Sequence, residues 1–361
     1  MSVTQRRAIA GGLGVLLALA VGACSSGGGG GSSSSGSSGT SSGGSGTSSS
    51  APANITLVIP SLSSNQSIAF LATGFGTFKK NNLNVKTVVS GTGALAVAAA
   101  VSGSGQFVMS GSSDMLSADS KGQKLVYLAR GLGGGLASQL VLTKAAAAKT
   151  GLPANATPAE KAKALNGLTI ASPSAASSQT TQAERAVDTV GAKIKFTYIA
   201  PADMDAAMKA GHIDGIVQAP PFTTEAVYDG SGVMWLNGSN GTFPGGFDVA
   251  TYGDPMMETT ASYAASHPAV VTAFTRAILE GVAMAKADPS KASSIVKAAT
   301  SPNMPEAEWK EIWTSAFPLL QPSLNTADAK SIIELDGFSG KVTADQVLPA
   351  NVQKLISAAS K

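Results

Sequence analysis

Between residues 165 and 222 short apolar runs alternate with helical patterns, and this alternation restricts the chain more than any other feature. Leu168 to Ala171 reads as a strand, Ser178 to Val190 as a helix and Lys195 to Tyr198 as a strand. Pro201 to Lys209 then reads as a helix and Ile213 to Val217 as a strand. A β-α-β-α-β order needs crossover connections, so it predicts a mostly parallel sheet with helices on its faces. Ligands of such sheets sit beyond the carboxyl ends of the strands, where the next helix begins. Ser177, Ser178 and Gln179 fall at such a junction. Hydroxyls and unpaired N–H groups at a helix start can cradle an acceptor or an anion, aided by the helix dipole. Serine is equally a common N-cap, so the same triplet also fits plain capping.

The N-terminal residues read as an address. Arg6 and Arg7 precede an apolar run from Ala8 to Ala20, then Val21, Gly22 and Ala23 lead to Cys24. This is the pattern of a signal peptide over residues 1–23, with a lipobox-like ending that implies lipidation of Cys24. Two or more acyl chains hold a protein stably at a membrane surface. Residues 24–53 continue as a tether that is almost wholly Gly and Ser after Cys24. Such a composition cannot bury apolar surface and behaves as a coil reaching roughly 30 Å. Gly39, Ser41 and Gly43 match G-x-S-x-G there, but a Gly/Ser coil has no strand-to-helix elbow to expose a nucleophile.

Residues 54–361 are long enough for two well-cored domains. Without Arg6 and Arg7, the 25 basic side chains fall to 23 against 22 acidic, a balance that argues against a nucleic-acid partner. Cys24 is the only cysteine, so no disulfide or thiolate metal site is expected. His212 and His267 stand alone in turns, which makes zinc improbable and leaves no metal ligand set.

In chain order, Ile55 to Ile59, Leu83 to Val89, Phe107 to Met109, Leu125 to Ala129 and Gln139 to Thr143 read as strands. Between them, Gln66 to Lys80, Ala94 to Val101 and Ser112 to Ser120 read as helices. Residues 131–135 form a glycine-rich loop and 145–163 an insertion of helical composition. Gly91, Gly93 and Ala96 fit the dinucleotide fingerprint G-x-G-x-x-A, yet the next strand ends without an acid for a ribose. Val233 to Leu236 is a further strand, and Phe247 to Thr251 a segment returning to the first half. From Ser262 onward the pattern is helical. Trp309 and Trp313, spaced i, i+4, read as sealing a helix onto a core.

GTFKKNNLNV at 76–85, SGTGALAVAAAVSGSGQFVMSG at 90–111 and LNGLTIAS with SSQTTQAERAVDTVG up to 191 together resemble one family. IAPADMDAAMKAGHIDGIVQAPPF and HPAVVTAFTRAILEGVAMAKADP continue the resemblance across most of residues 55–300. The family is that of the solute-binding lipoproteins of ATP-driven importers for nitrate, taurine, aliphatic sulfonates and thiamine-pyrimidine precursors, among the type II periplasmic binding proteins. The resemblance implies an α/β, two-lobed fold of two mixed, mostly parallel sheets with flanking helices and a ligand cleft between the lobes. Residues 54–138 and 252–361 would form one lobe and 139–251 the other.

Matched to the family's ligand contacts, the expected site residues are Ser61 and Ser64, Ser90, Gly91 and Thr92, and Ser112 and Ser113. From the other lobe come Ser177, Ser178 and Gln179, then Pro220, Pro221 and Phe222. Pro220-Pro221 stands where many family members have Asp-Pro. The resemblance implies a monomeric extracytoplasmic receptor, lipid-anchored to the bacterial cell membrane. It would capture a small oxygen-rich solute of nitrate, sulfonate or taurine type by lobe closure and deliver it to an ABC permease and its ATPase. It needs no cofactor and performs no catalysis. The alternatives on the same fold are a receptor for a thiamine-pyrimidine precursor and an enzyme of pyrimidine biosynthesis. The enzyme requires a cysteine cluster for iron and a reactive cleft histidine, which this sequence lacks.

Overall fold

The apolar runs that read as strands pair into two five-stranded sheets in the computed structural model, which describes residues 51–133, 138–240, 242–245 and 252–361. The expected signal peptide and most of the expected tether lie outside the described residues, as does the expected return segment at 247–251. The first sheet contains β1 (Ala53–Ile59), β2 (Leu83–Val89), β3 (Phe107–Ser110) and β4 (Leu125–Arg130). The second contains β5 (Gln139–Thr143), β6 (Thr169–Ser172), β7 (Lys195–Tyr198), β8 (Gly215–Gln218) and β9 (Gly232–Asn237). A last strand, β10 (Met256–Thr260), completes the first sheet.

The strand orders are β2-β1-β3-β10-β4 and β7-β6-β8-β5-β9. In each sheet one strand alone runs against the others: β10 is antiparallel to β3 and β4, and β5 to β8 and β9. The parallel remainder follows from the crossover helices, as the alternation in residues 165–222 requires.

Two elements differ from the sequence reading. The expected helix Gln66 to Lys80 is two helices, Ser67–Gly74 and Thr77–Lys80, separated at Gly76, whose φ of 75° ends the first helix in the left-handed region. β10 precedes the helical C-terminal region and was not legible as a strand. Its sequence MMETT places Glu258 at its centre, a residue type depleted from strands, and here that side chain is fully buried.

The first sheet's core is closed by the 20-residue helix Pro268–Ala287, which buries Val271, Phe274, Ile278 and Val282 along one stripe. Phe274 stacks on Phe107 of β3 with ring centroids 3.7 Å apart and on Phe78 at 5.2 Å. Burying each such side chain contributes about 1.5–3 kcal/mol. Trp309 is 1% exposed and donates from Nε1 to Ser293 Oγ at 2.8 Å, with Trp313 stacked on it, so the pair does seal its helix onto the core.

Candidate functional site

The carboxyl ends of β1, β3 and β6 and the helix starts that follow them converge on one cleft. It encloses about 420 Å³ of empty space, but only about 30 Å³ accepts the centre of a water-sized sphere. That is room for about two waters.

Of the residues expected from sequence, Ser61, Gly91, Thr92, Ser177 and Gln179 line this cleft. Thr92 caps the helix Gly93–Ser102 by accepting from Leu95 N at 3.2 Å. The main chain beside it is already engaged: Ser90 N donates to Ile59 O at 2.9 Å and Gly91 N to Pro60 O at 3.0 Å. Those amides brace the loops and are not presented to a solute. Ser177 caps the helix Ser178–Asp188, accepting from Thr180 N at 3.3 Å, and donates to Ser174 O at 3.1 Å. Capping therefore describes Ser177 well, although it also reaches the cleft.

Ser112, Ser113 and Ser178 lie behind the lining, fully buried between the two sheets. Ser64 and Pro220 face a separate small cavity, where Ser64 N donates to Pro220 O at 3.1 Å and Ser64 Oγ to the same oxygen at 3.3 Å. Ser90, Pro221 and Phe222 are not among the cleft-lining residues, and the apolar part of the lining comes from Pro60, Pro173, Pro201 and Pro255.

Sequence reasoning missed two acids on the lining, Asp114 and Asp254. Asp254 immediately precedes Pro255, a pair of the Asp-Pro type that is missing at Pro220-Pro221. Its Oδ1 accepts from Ser112 N at 2.8 Å, from Ser178 Oγ at 2.9 Å and from Ser112 Oγ at 3.3 Å. Ser112 Oγ also donates to Asp336 Oδ2 at 2.5 Å, and Tyr252 donates to Asp336 Oδ1 at 3.0 Å while receiving Gln182 Nε2 at 3.0 Å. The Asp114 Oδ1 accepts from Ser174 Oγ across the cleft at 3.4 Å. A Cβ at Gly93 would collide with the Asp114 carboxyl, and one at Gly111 would meet Ser178 Oγ at 2.5 Å, so both glycines permit the close approach.

Burial pushes the Asp114 carboxyl up to about 7, with the Asp254 charge adding to the effect. Asp336 is likewise raised to about 7 by burial, and Asp254 is raised by burial against its three hydrogen bonds. Glu258, fully buried on β10, is raised well above its ordinary value by burial, while Ser110 Oγ donates to its two oxygens at 2.8 and 3.0 Å. The lining also holds amides. Gln218 Oε1 accepts from Ala219 N at 2.8 Å and Gln66 Oε1 from Ser63 Oγ at 2.7 Å, which leaves the NH₂ ends of both side chains as the free donors. Asn65 Oδ1 is buried and without a partner. Among the described residues, no Lys, Arg or His lies on the lining.

Two mixed α/β sheets, each with one reversed strand, facing each other across a closed polar cleft define the periplasmic-binding-protein fold. The chain belongs to the NMT1-like family, whose model matches residues 49–300. Among solved structures it is similar to the alkanesulfonate-binding protein SsuA from Xanthomonas axonopodis pv. citri bound to MOPS, at 19% identity and a TM-score of 0.63, covering 86% of this chain and 99% of that one. The periplasmic aliphatic sulphonate binding protein SsuA from Escherichia coli follows at 17% identity and a TM-score of 0.60, covering 83% of this chain and 91% of that one. The periplasmic nitrate-binding protein NrtA from Synechocystis PCC 6803 matches at 13% identity and a TM-score of 0.64, covering 86% and 88%. At these identities the likeness establishes the fold. A search of curated proteins finds no match.

Proposed function

We propose that the chain is the extracytoplasmic solute receptor of an ABC importer. In this reading residues 54–138 with 252–361 and residues 139–251 are the two lobes, and they close on a small molecule. Cys24 carries the lipid that holds the receptor at the membrane, and the Gly/Ser tether lets the closed form reach a permease served by its ATPase. The protein acts as a monomer and makes and breaks no bonds.

The observation that carries this reading is Asp254. It lies on the cleft wall and receives hydrogen bonds from Ser112 of one half and Ser178 of the other. Such a group is complete only when the lobes are shut.

The same acid narrows the solute. With Asp114 and Asp254 on the lining and no cationic side chain among the described lining residues, an anion meets the Gln66 and Gln218 amides but also two acids, as like charges or as single-donor protonated carboxyls, and nothing that balances its charge. A small, flat solute carrying N–H donors for the acids and ring-nitrogen acceptors for the Gln66 and Gln218 amides, with an apolar face against the four prolines, satisfies both sets of groups. Of the solutes the family resemblance implies, a thiamine-pyrimidine precursor has this chemistry, and nitrate and alkanesulfonates do not.

Native mass spectrometry of the exported protein should reveal a co-purified small molecule that leaves unaltered on unfolding. Titration calorimetry with an aminopyrimidine, taurine and nitrate should give the tightest binding to the aminopyrimidine. Tightest binding to nitrate would overturn the solute class, and chemical conversion of the bound molecule would overturn the receptor reading. Small-angle scattering should show a smaller radius of gyration with saturating solute than without. Replacing Cys24 with Ser should move the protein from the detergent phase to the soluble export fraction.

A further inference from the structure

Asn65 is 3% exposed and lines both the solute cleft and a small cavity behind it. Its main chain is held on two sides. Asn65 N donates to Ser63 Oγ at 3.2 Å, and a Cβ at Gly131 would lie 2.9 Å from Asn65 O, so the loop packs directly against that glycine. The preceding residue ties the same loop to the half that holds the second sheet, through Ser64 N and Pro220 O. The carboxamide is left unanswered. Its Oδ1 is buried without a partner, and among the described residues no hydrogen bond reaches Nδ2.

A polar group taken out of water and given no partner destabilises a fold, so native proteins keep few of them. The cavity behind Asn65 does not supply the missing partner. It offers only about 10 Å³ to the centre of a water-sized sphere, the lower limit for one water. Its three hydroxyls have already given their protons away: Ser64 Oγ to Pro220 O, Ser239 Oγ to Asn237 Oδ1 and Ser315 Oγ to Ile312 O. The partner of Oδ1 therefore comes from the cleft side.

A carboxamide presents one acceptor and one NH₂ donor on a single planar edge. That edge matches a heterocycle on which an amino group adjoins a ring nitrogen, the pairing through which asparagine reads the edge of adenine. Gln66 and Gln218 differ from Asn65, because each has its Oε1 engaged within the protein. Ionised carboxylates on the lining accept only.

We propose that Asn65 sets the specificity of the cleft, an inference that rests on the aminopyrimidine reading above. Its carboxamide pairs edge to edge with the amino group and the adjoining ring nitrogen of the solute, and the second N–H of that amino group is left for a lining acid. In the free protein the edge is empty, so the residue is kept for binding at a cost in stability.

The test uses the exported protein with 4-aminopyrimidine and 4-methylpyrimidine, two rings of nearly the same shape of which only the first can donate from its substituent. In titration calorimetry the parent should prefer the amino compound by about ten- to a hundredfold. Asn65→Leu should bind the two within about threefold of each other, with the loss falling on the amino compound. The free Asn65→Leu protein should melt at the same or a higher temperature, because an apolar group of similar size replaces an unpaired amide. Asn65→Ala gives the same binding readout if the leucine variant folds poorly. A preference for the amino compound that survives in both variants would overturn the role of Asn65 and leave the solute class standing. Loss of melting temperature in Asn65→Leu with that preference intact would make the amide a structural group. Failure of the parent to bind either pyrimidine would overturn the solute class and this proposal with it.

Discussion

Ser178 Oγ donates to Asp254 Oδ1 at 2.9 Å, joining a helix start beside the second sheet to the acid that leads into β10 of the first. The residues are 76 positions apart in sequence and both are buried. In the proposed receptor this bond forms only when the two lobes meet, so its free energy would belong to closure and not to the folding of either lobe.

Ser178→Ala should therefore weaken solute binding. A hydrogen bond to a charged group contributes about 1.5–3 kcal/mol, which corresponds to a loss of about ten- to a hundredfold in affinity. Ser177→Ala removes a helix cap and should cost about 1 kcal/mol of stability. Calorimetry and thermal melting on the two single variants separate the roles. Undiminished affinity in Ser178→Ala would remove this bond from closure.

Asp254→Asn and Asp114→Asn test the lining acids. For a solute that offers N–H donors, each change replaces an acceptor pair with a mixed amide, and affinity should fall about tenfold or more. An anionic solute should bind each variant more tightly than the parent. The direction of the change in calorimetry decides between the two.

Much of this arrangement was legible in the sequence because local patterns specify local elements. The alternation in residues 165–222 marked the three parallel neighbours β6, β7 and β8 of the second sheet and their helices, and Ser177 at its helix start is where capping chemistry requires it. Asp114 and Asp254 were not legible as partners, since 140 positions separate them and only the insertion of β10 between β3 and β4 brings both to one cleft. β10 itself was hidden by Glu258, because a carboxylate inside a strand normally signals solvent and here is buried against Ser110. Gly76 looked like one weak residue in a long helix, and its left-handed conformation is a property of the turn that the backbone makes there.

Glu258 gives a separate test of that buried chemistry. Its carboxyl is raised well above the ordinary value by burial, so the fold favours its neutral form. Glu258→Gln keeps the shape and a neutral polar group and should change stability by less than about 1 kcal/mol. Glu258→Ala opens a cavity beside Ser110 and strands its hydroxyl, and should cost about 2–4 kcal/mol. Denaturant unfolding compares the two variants. Equal losses would show that the carboxyl's hydrogen bonds to Ser110 contribute nothing beyond volume.

The acids also fix the sign of the protein's response to pH. Asp114, Asp119 and Asp336 are each pushed up to about 7 from an ordinary 3.8, chiefly by burial. Between those two values the folded chain holds protons that the unfolded chain has released, so stability falls as pH rises through the window. Each group contributes a slope of at most about 1.4 kcal/mol per pH unit. Without solute, the melting temperature should therefore be higher near pH 5 than near pH 8. Binding should run the other way for a solute that donates hydrogen bonds or carries positive charge, because ionised Asp114 is its better partner. Affinity for such a solute should rise from about pH 5 to about pH 8, and Asp114→Asn should flatten that rise. An affinity that instead falls over the same range would mean that the cleft binds its solute through protonated carboxyls, as an anion requires.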